Sequence, residues 1–132
     1  MKVLFMCSAN AWRSPMAEAL LKKNRPDIHV DSAGIYAYHK GIDEVKDFLT
    51  REDAEEYVKK LPDSLDSKQL NVYDIIVAME PKHKKAILSR GSECQSKVVV
   101  WDIDDPIKLP PGYGEKIFNQ VRQKVEELAK SL

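Results

Sequence analysis

Four short apolar runs, set apart by stretches with helical spacing, most constrain what this chain can fold into. Residues 2–6, 28–32, 74–79 and 97–101 read as strands. Several are apolar at consecutive rather than alternate positions, the mark of strands covered on both faces. Residues 14–24 read as a helix with Met16, Leu20 and Leu21 inward, and residues 43–61 carry Val45, Phe48, Leu49, Tyr57, Val58 and Leu61 at helical spacing. Thr50-Arg51-Glu52-Asp53 reads as a fresh cap that splits this second stretch. A third helix is expected over 81–89, opened by Pro81, and a fourth over 115–132 with Ile117, Val121, Val125 and Leu128 on one face. Strands alternating with helices predict an α/β fold: a three-layer α/β/α sandwich around a four-stranded parallel sheet of order 2-1-3-4, flavodoxin-like. At 132 residues, without repeats or linkers, the chain is expected to form one domain, 1–132.

The first strand runs into Cys7-Ser8-Ala9-Asn10-Ala11-Trp12-Arg13-Ser14, and the first helix follows at once. Strand, tight loop and helix N-terminus in that order make an anion cradle. Loop N–H groups and the free donors of the first helical turn converge there, and the helix dipole adds positive potential. Cys7 begins the loop and Arg13 ends it, so both side chains reach an oxyanion at its centre. A thiolate is a nucleophile fit to attack phosphorus, and such surroundings favour the thiolate. Arg13 offers a planar fork for two phosphate oxygens, which a lysine lacks. Ser14 is read as the N-cap and as a hydroxyl donor to the sulfur, with Pro15 at the first helical position. Asn10 suits a left-handed backbone that bends the loop inward. An arginine six places after a cysteine arises by chance roughly once in twenty; the strand, serine, proline and helix around it make the pattern specific.

Lys+Arg and Asp+Glu both number 21, so the formal charge is zero, which argues against nucleic acid or an acidic membrane as partner. The lysines around His83 read as a solvated helix face. No stretch is long and apolar enough to span a membrane, and Met1-Lys2 runs straight into a strand with no signal peptide. Two distant cysteines without a disulfide framework fit a reducing cytoplasm. The histidines His29, His39 and His83 lack ligand-like spacing and read as surface residues, so neither metal nor cofactor is expected. After attack the leaving oxygen needs a proton, and a base must later activate water; one carboxylic acid can do both. Asp102, Asp104 and Asp105 are the candidates, and spacing alone does not choose among them.

With Cys7 to Ser14 followed by Pro15-Met16-Ala17-Glu18-Ala19, then Asp31-Ser32-Ala33-Gly34, Ile75-Ile76-Val77-Ala78-Met79 and Asp105-Pro106, the chain resembles the low-molecular-weight protein tyrosine phosphatases nearly end to end. The resemblance implies a phosphomonoester hydrolase acting through a phosphocysteine on phosphotyrosine or other aryl phosphates, with inorganic phosphate as product. It implies Cys7 as nucleophile, Arg13 as phosphate ligand, Asp105 as general acid, and Ser14 and Ser32 as supports of the loop through Asn10. It also implies a monomer. Tyr36 and Tyr38 would form one lip of a substrate pocket with Trp12. Several positions depart from the family pattern: Ala9 where glycine is usual, Trp12 where a second cysteine is usual, and Ile107-Lys108-Leu109 where aromatics usually follow the late Asp-Pro. No histidine stands in residues 64–70, where many members place one beside Asn10, so support for Asn10 is expected to be weaker or differently built. Ala11 occupies a variable pocket position and is small.

Two other readings compete. A thioredoxin-coupled arsenate reductase shares this kind of loop, but it needs two further cysteines, one of them near the end of the third strand where Met79 and Glu80 stand, and Cys94 alone does not suffice. A weakly active oxyanion-binding module is the other, if Trp12 crowds the cradle.

Overall fold

The structure, a computed structural model, describes residues 1–38, 42–106, 110 and 112–132. His39 and the 107–109 segment lie outside the described residues. Four strands, β1 (Lys2–Cys7), β2 (His29–Gly34), β3 (Ile75–Ala78) and β4 (Val98–Val100), form one sheet in the order β2-β1-β3-β4. Every pairing is parallel, with Phe5 opposite Ser32 on one side and Val77 on the other. The sheet order expected from the sequence is the one observed.

β1 is central, and Val3, Leu4, Phe5 and Met6 are fully buried. Its side chains alternate between two cores, as strand geometry requires. Val3, Phe5 and Cys7 face one layer, with α1 (Arg13–Asn24), α2 (Ile42–Thr50) and α4 (Gly114–Ser131). Leu4 and Met6 face the other, covered by α3 (Pro81–Arg90) and the turns carrying Leu65 and Leu70. Three layers result. α1 is buried nearly all round over its first nine residues, because β1, β2, α2 and α4 all pack on it.

The stretch 43–61 is not one long helix, nor does Thr50 cap a second one. α2 stops at Thr50, and Asp53 takes a left-handed φ of 53°. Ala54 N–H then returns to Leu49 O at 3.0 Å and Asp53 N–H to Thr50 O at 3.3 Å. This is a helix stop in which an aspartate fills the position usually given to glycine. A single 3₁₀ turn over Glu55–Tyr57 follows, and Leu61 is exposed. The remaining elements fall within a residue or two of expectation.

Candidate active site

β1 delivers Cys7 at its carboxyl end, and the loop that follows is shaped from outside. Ile35, Tyr36 and Tyr38 donate their N–H groups to the carbonyls of Cys7, Ser8 and Ala9 at 3.1–3.2 Å. Drawing these carbonyls outward turns the opposite, N–H, edges of the same peptide planes inward. The approach is close enough that a Cβ on Gly34 would lie 2.5–2.7 Å from Tyr36 O, Asn10 N and Ser8 O. Glycine is required there. Asn10 takes the expected left-handed turn at φ 53°, while Ala9 does not have a positive φ and so accommodates its methyl group.

The helix start differs from expectation. α1 begins at Arg13, with Trp12 in the cap position and no side-chain cap. Ser14 is therefore inside the first turn rather than its N-cap, and Pro15 is third rather than first. The physical reason is that the Ser14 hydroxyl is engaged elsewhere, 2.9 Å from Cys7 Sγ and accepting from Asn10 Nδ2 at 2.8 Å. Proline is tolerated at the third position because first-turn N–H groups have no helical acceptor.

Arg13 ties three distant segments to the loop. Its Nη1 donates to Glu80 Oε2 and to Ile103 O, both at 2.7 Å, and Nη2 lies 3.7 Å from Asp105 Oδ2. Glu80 follows β3 directly. Burial opposes its charge, but the hydrogen bond and charge of Arg13 prevail and hold its carboxyl below the usual range. Asp105 reaches the site because Trp101 and Ile103 continue along β3, donating to Ala78 O at 2.9 Å and Met79 O at 2.7 Å. Between them Asp102 turns left-handed at φ 58°. Asp102 and Asp104 are exposed; of the three carboxylates, Asp105 is the one whose ion pair with Arg13 places it at the loop.

Behind the loop, Asn10 is buried with all its amide positions used. Nδ2 donates to Ser14 Oγ at 2.8 Å and Ser32 Oγ at 2.9 Å, while Oδ1 accepts from Lys59 Nζ and from Asp63 N–H, each at 2.7 Å. Ser32 in turn donates to the buried Glu18 at 2.5 Å. Ser14 and Ser32 both accept from Asn10 Nδ2, and Lys59 stands at its Oδ1 where residues 64–70 offer no histidine.

His83 is the clearest correction. It is fully buried, not a surface residue. Its Nδ1 accepts from the Glu80 N–H at 3.0 Å, closing a capping box at the start of α3, and its Nε2 lies 2.9 Å from Ser8 Oγ. Because Nδ1 accepts, the neutral ring carries its hydrogen on Nε2 and donates to Ser8. Burial, helped by the charge of Arg13, pushes His83 down to about 4. His29 is exposed, as expected.

Trp12 is spent largely on the core. Its ring meets Phe48 edge-on at 5.5 Å, its Nε1 donates to Glu44 at 3.2 Å, and 8% of its surface remains exposed. It is therefore not the crowding wall considered above. Tyr36 and Tyr38 are 55% and 46% exposed beside the loop, available to a ligand; Ala11 is buried in it. Cys94 is free and fully buried in the core on the α3 face, whereas Cys7 belongs to the α1 face, so the sheet separates the two sulfurs. Among the described residues no group of three or more His, Cys, Asp or Glu is placed to hold a metal, and no helix is long and apolar enough to cross a membrane.

Glu18, Lys59 and Glu80 carry no role in the sequence reading, and His83 appears there only as a surface residue. Glu80-Pro81-Lys82-His83 did carry a signal, an acid before a helix-opening proline with a possible partner three residues on. Glu18 stands alone in a buried-looking Pro-Met-Ala-Glu-Ala-Leu-Leu run. Lys59 gives no signal, because only the fold brings it under Asn10.

Comparison with known proteins agrees with this geometry. The family described as low molecular weight phosphotyrosine protein phosphatase matches residues 2–132. The chain is 29% identical to the low molecular weight protein-tyrosine-phosphatase Wzb of Salmonella typhi, covering 99% of this chain and 93% of that protein. It is also 29% identical to a protein-arginine-phosphatase of Bacillus subtilis, covering 100% and 94%. Among solved structures, the YwlE arginine phosphatase, in a mutant with a phosphorylated active-site serine, superposes with a TM-score of 0.86 at 25% identity, covering 100% of this chain and 95% of that one. The low molecular weight protein tyrosine phosphatase of T. tengcongensis superposes at 0.87 with 26% identity, covering 100% and 99%. By its loop, its sheet and its match over nearly the whole length, this chain belongs to the low molecular weight phosphotyrosine protein phosphatase family.

Proposed function

We propose that the protein, acting as a single-domain monomer in the cytoplasm, removes phosphate from phosphorylated proteins or small aryl phosphates through a phosphocysteine on Cys7. The observation that carries this reading is the convergence of Cys7, Arg13 and Asp105, from β1, α1 and the segment after β4, on one loop. The Cys7 thiolate attacks phosphorus, forming the S–P bond as the P–O bond to the leaving group breaks. Nη1 of Arg13 is held by Glu80 and Ile103 O, which fixes the guanidinium plane and presents its Nε–Nη2 edge to two phosphate oxygens. Protonated Asp105 gives its proton to the departing oxygen. As carboxylate it then takes a proton from water, which attacks phosphorus and releases inorganic phosphate and the Cys7 thiolate. The Ser14 hydroxyl, 2.9 Å from the sulfur, stabilises the thiolate at both ends of the cycle.

Phosphoarginine is a second substrate to consider, because the similarity to a protein-arginine-phosphatase equals that to a tyrosine phosphatase. Nitrophenyl phosphate hydrolysis with a metal chelator present tests the reaction, and phosphotyrosine and phosphoarginine peptides side by side test the substrate. Cys7→Ser is expected to abolish turnover while the folded protein still binds vanadate. Undiminished turnover in that variant overturns the mechanism.

A further inference from the structure

Lys59 sits behind the loop with its three ammonium hydrogens facing Asn10 Oδ1 at 2.7 Å, Asp63 Oδ2 at 2.8 Å and Ser32, whose O lies at 2.9 Å and Oγ at 3.3 Å. Its side chain is 12% exposed, so its charge is poorly screened by water. We propose that Lys59 is a positioning residue that acts on Cys7 through Asn10 and Ser14, its ammonium polarising the Asn10 amide so that the Ser14 hydroxyl favours the thiolate.

The hydrogen-bond arithmetic supports a directional line. Asn10 Nδ2 donates to Ser14 Oγ, so the single Ser14 hydrogen has two acceptors in reach: Cys7 Sγ at 2.9 Å and Ala33 O at 3.4 Å. With Cys7 as thiol, S–H donates to Ser14 and Ser14 donates to Ala33. With Cys7 as thiolate, the Ser14 hydrogen turns to the sulfur, and no heavy atom has to move. A cation on Asn10 Oδ1 makes Nδ2–H a stronger donor, and that makes Ser14 O–H a stronger donor to sulfur, since chained hydrogen bonds polarise one another.

The carboxylates near Lys59 do not simply cancel it. Glu18 on α1 lies 4.0 Å away, but it is also paired with Lys22 at 2.5 Å. Asp63 is shared with Lys68 at 3.3 Å, and Asp31 on β2 adds a carboxylate near Lys68. A neutral ring in place of Lys59 could satisfy Asn10 but could not supply this charge.

The proposal rests on Cys7 being the reactive group, but its test is read at the sulfur and not through turnover. The two readings can therefore fail separately. The rate of Cys7 alkylation by iodoacetamide is followed from pH 5 to 9.5 with product mapping by mass; Cys94 is fully buried and silent. Lys59→Met is expected to slow alkylation at pH 6 about five- to tenfold, with rates converging above pH 9. Asp63→Asn removes a half-exposed carboxylate beside Lys59 and keeps the backbone N–H that Asn10 uses, so it is expected to speed alkylation at pH 6 about twofold. Opposite signs mark a charge effect; a merely structural role would loosen the loop in both variants. An unchanged profile in folded Lys59→Met, or unchanged or slower alkylation in Asp63→Asn, overturns the proposal. If Lys59→Met does not fold, Asp63→Asn decides alone.

Discussion

The two sides of the Cys7 loop are built on opposite principles. Behind it, Asn10 and Ser32 are fully buried and Lys59 nearly so, their polar groups engaged with Ser14, Glu18 and Asp63 inside a closed network. In front, Arg13 and Asp105 are brought in from separate segments and stand 3.7 Å apart, beyond hydrogen-bond length. The back therefore fixes the loop, since a buried network with every member satisfied has one arrangement. At the front Arg13 is held through Nη1 by Glu80 and Ile103 O, and its contact with Asp105 is a longer ion pair. Perturbing Asp105 at the front should show first in the rate of the chemical step, and perturbing the back should cost both rate and stability.

The front gives the largest effect. Asp105→Asn is expected to cut kcat for a poor leaving group by about two to four orders of magnitude, and far less for nitrophenolate, which departs without a proton. Asp104→Asn, at an exposed position one residue nearer Trp101, should leave both rates near those of the parent. Steady-state rates on an alkyl and a nitrophenyl phosphate settle the assignment; the reverse pattern makes Asp104 the acid.

A change at the back should read differently. Asn10→Ala removes the partner of Ser14, Ser32, Lys59 and Asp63 N–H together and leaves an alanine at φ 53°. Unsatisfied buried donors and a strained backbone together predict a loss of about 2–4 kcal/mol in urea unfolding, with vanadate affinity falling as well. Loss of activity with unchanged stability would mean that the network is not what holds the loop.

The same division explains what could be read from sequence. Cys7, Arg13, Asn10 and Ser14 lie within eight residues of one another, and the strand and helix around them are strongly patterned, so their grouping was legible. The sheet order was legible because four apolar runs alternate with helical stretches. Lys59 was not, because nothing local marks a lysine in a Tyr-Val-Lys-Lys segment as turned inward; a 3₁₀ turn and the helix stop at Asp53 carry it under Asn10. Residues 43–61 misled for the same reason: helical spacing continues past Thr50, but Asp53 ends the helix through backbone geometry that spacing does not encode. His83 misled because lysines flank it on both sides, while its own position on α3 points into the protein.

His83, which links Glu80 to Ser8 of the loop, offers the smallest and most selective test, read through stability alone. It is neutral and buried, with Nδ1 held by the Glu80 N–H and Nε2 at Ser8. Burial and the nearby Arg13 charge lower it from 6.5 to about 4. As pH falls below 6.5 the unfolded chain takes up this proton before the folded one does, so the contribution is whole above pH 6.5 and is lost progressively toward pH 4. At pH 5 the loss is about 2 kcal/mol, from the linkage between these two values. Glu80, Asp31 and Asp63, all held below their usual range, act in the same direction but only at more acidic pH. Urea unfolding from pH 8 to 5 should therefore show a slope in the parent that is flattened in His83→Gln. Because Gln gives up the ring that closes the capping box, the variant should also be less stable at pH 8, and the two curves should draw together near pH 5. Parallel curves across that range would mean that the His83 ring becomes protonated without leaving its place between Glu80 and Ser8.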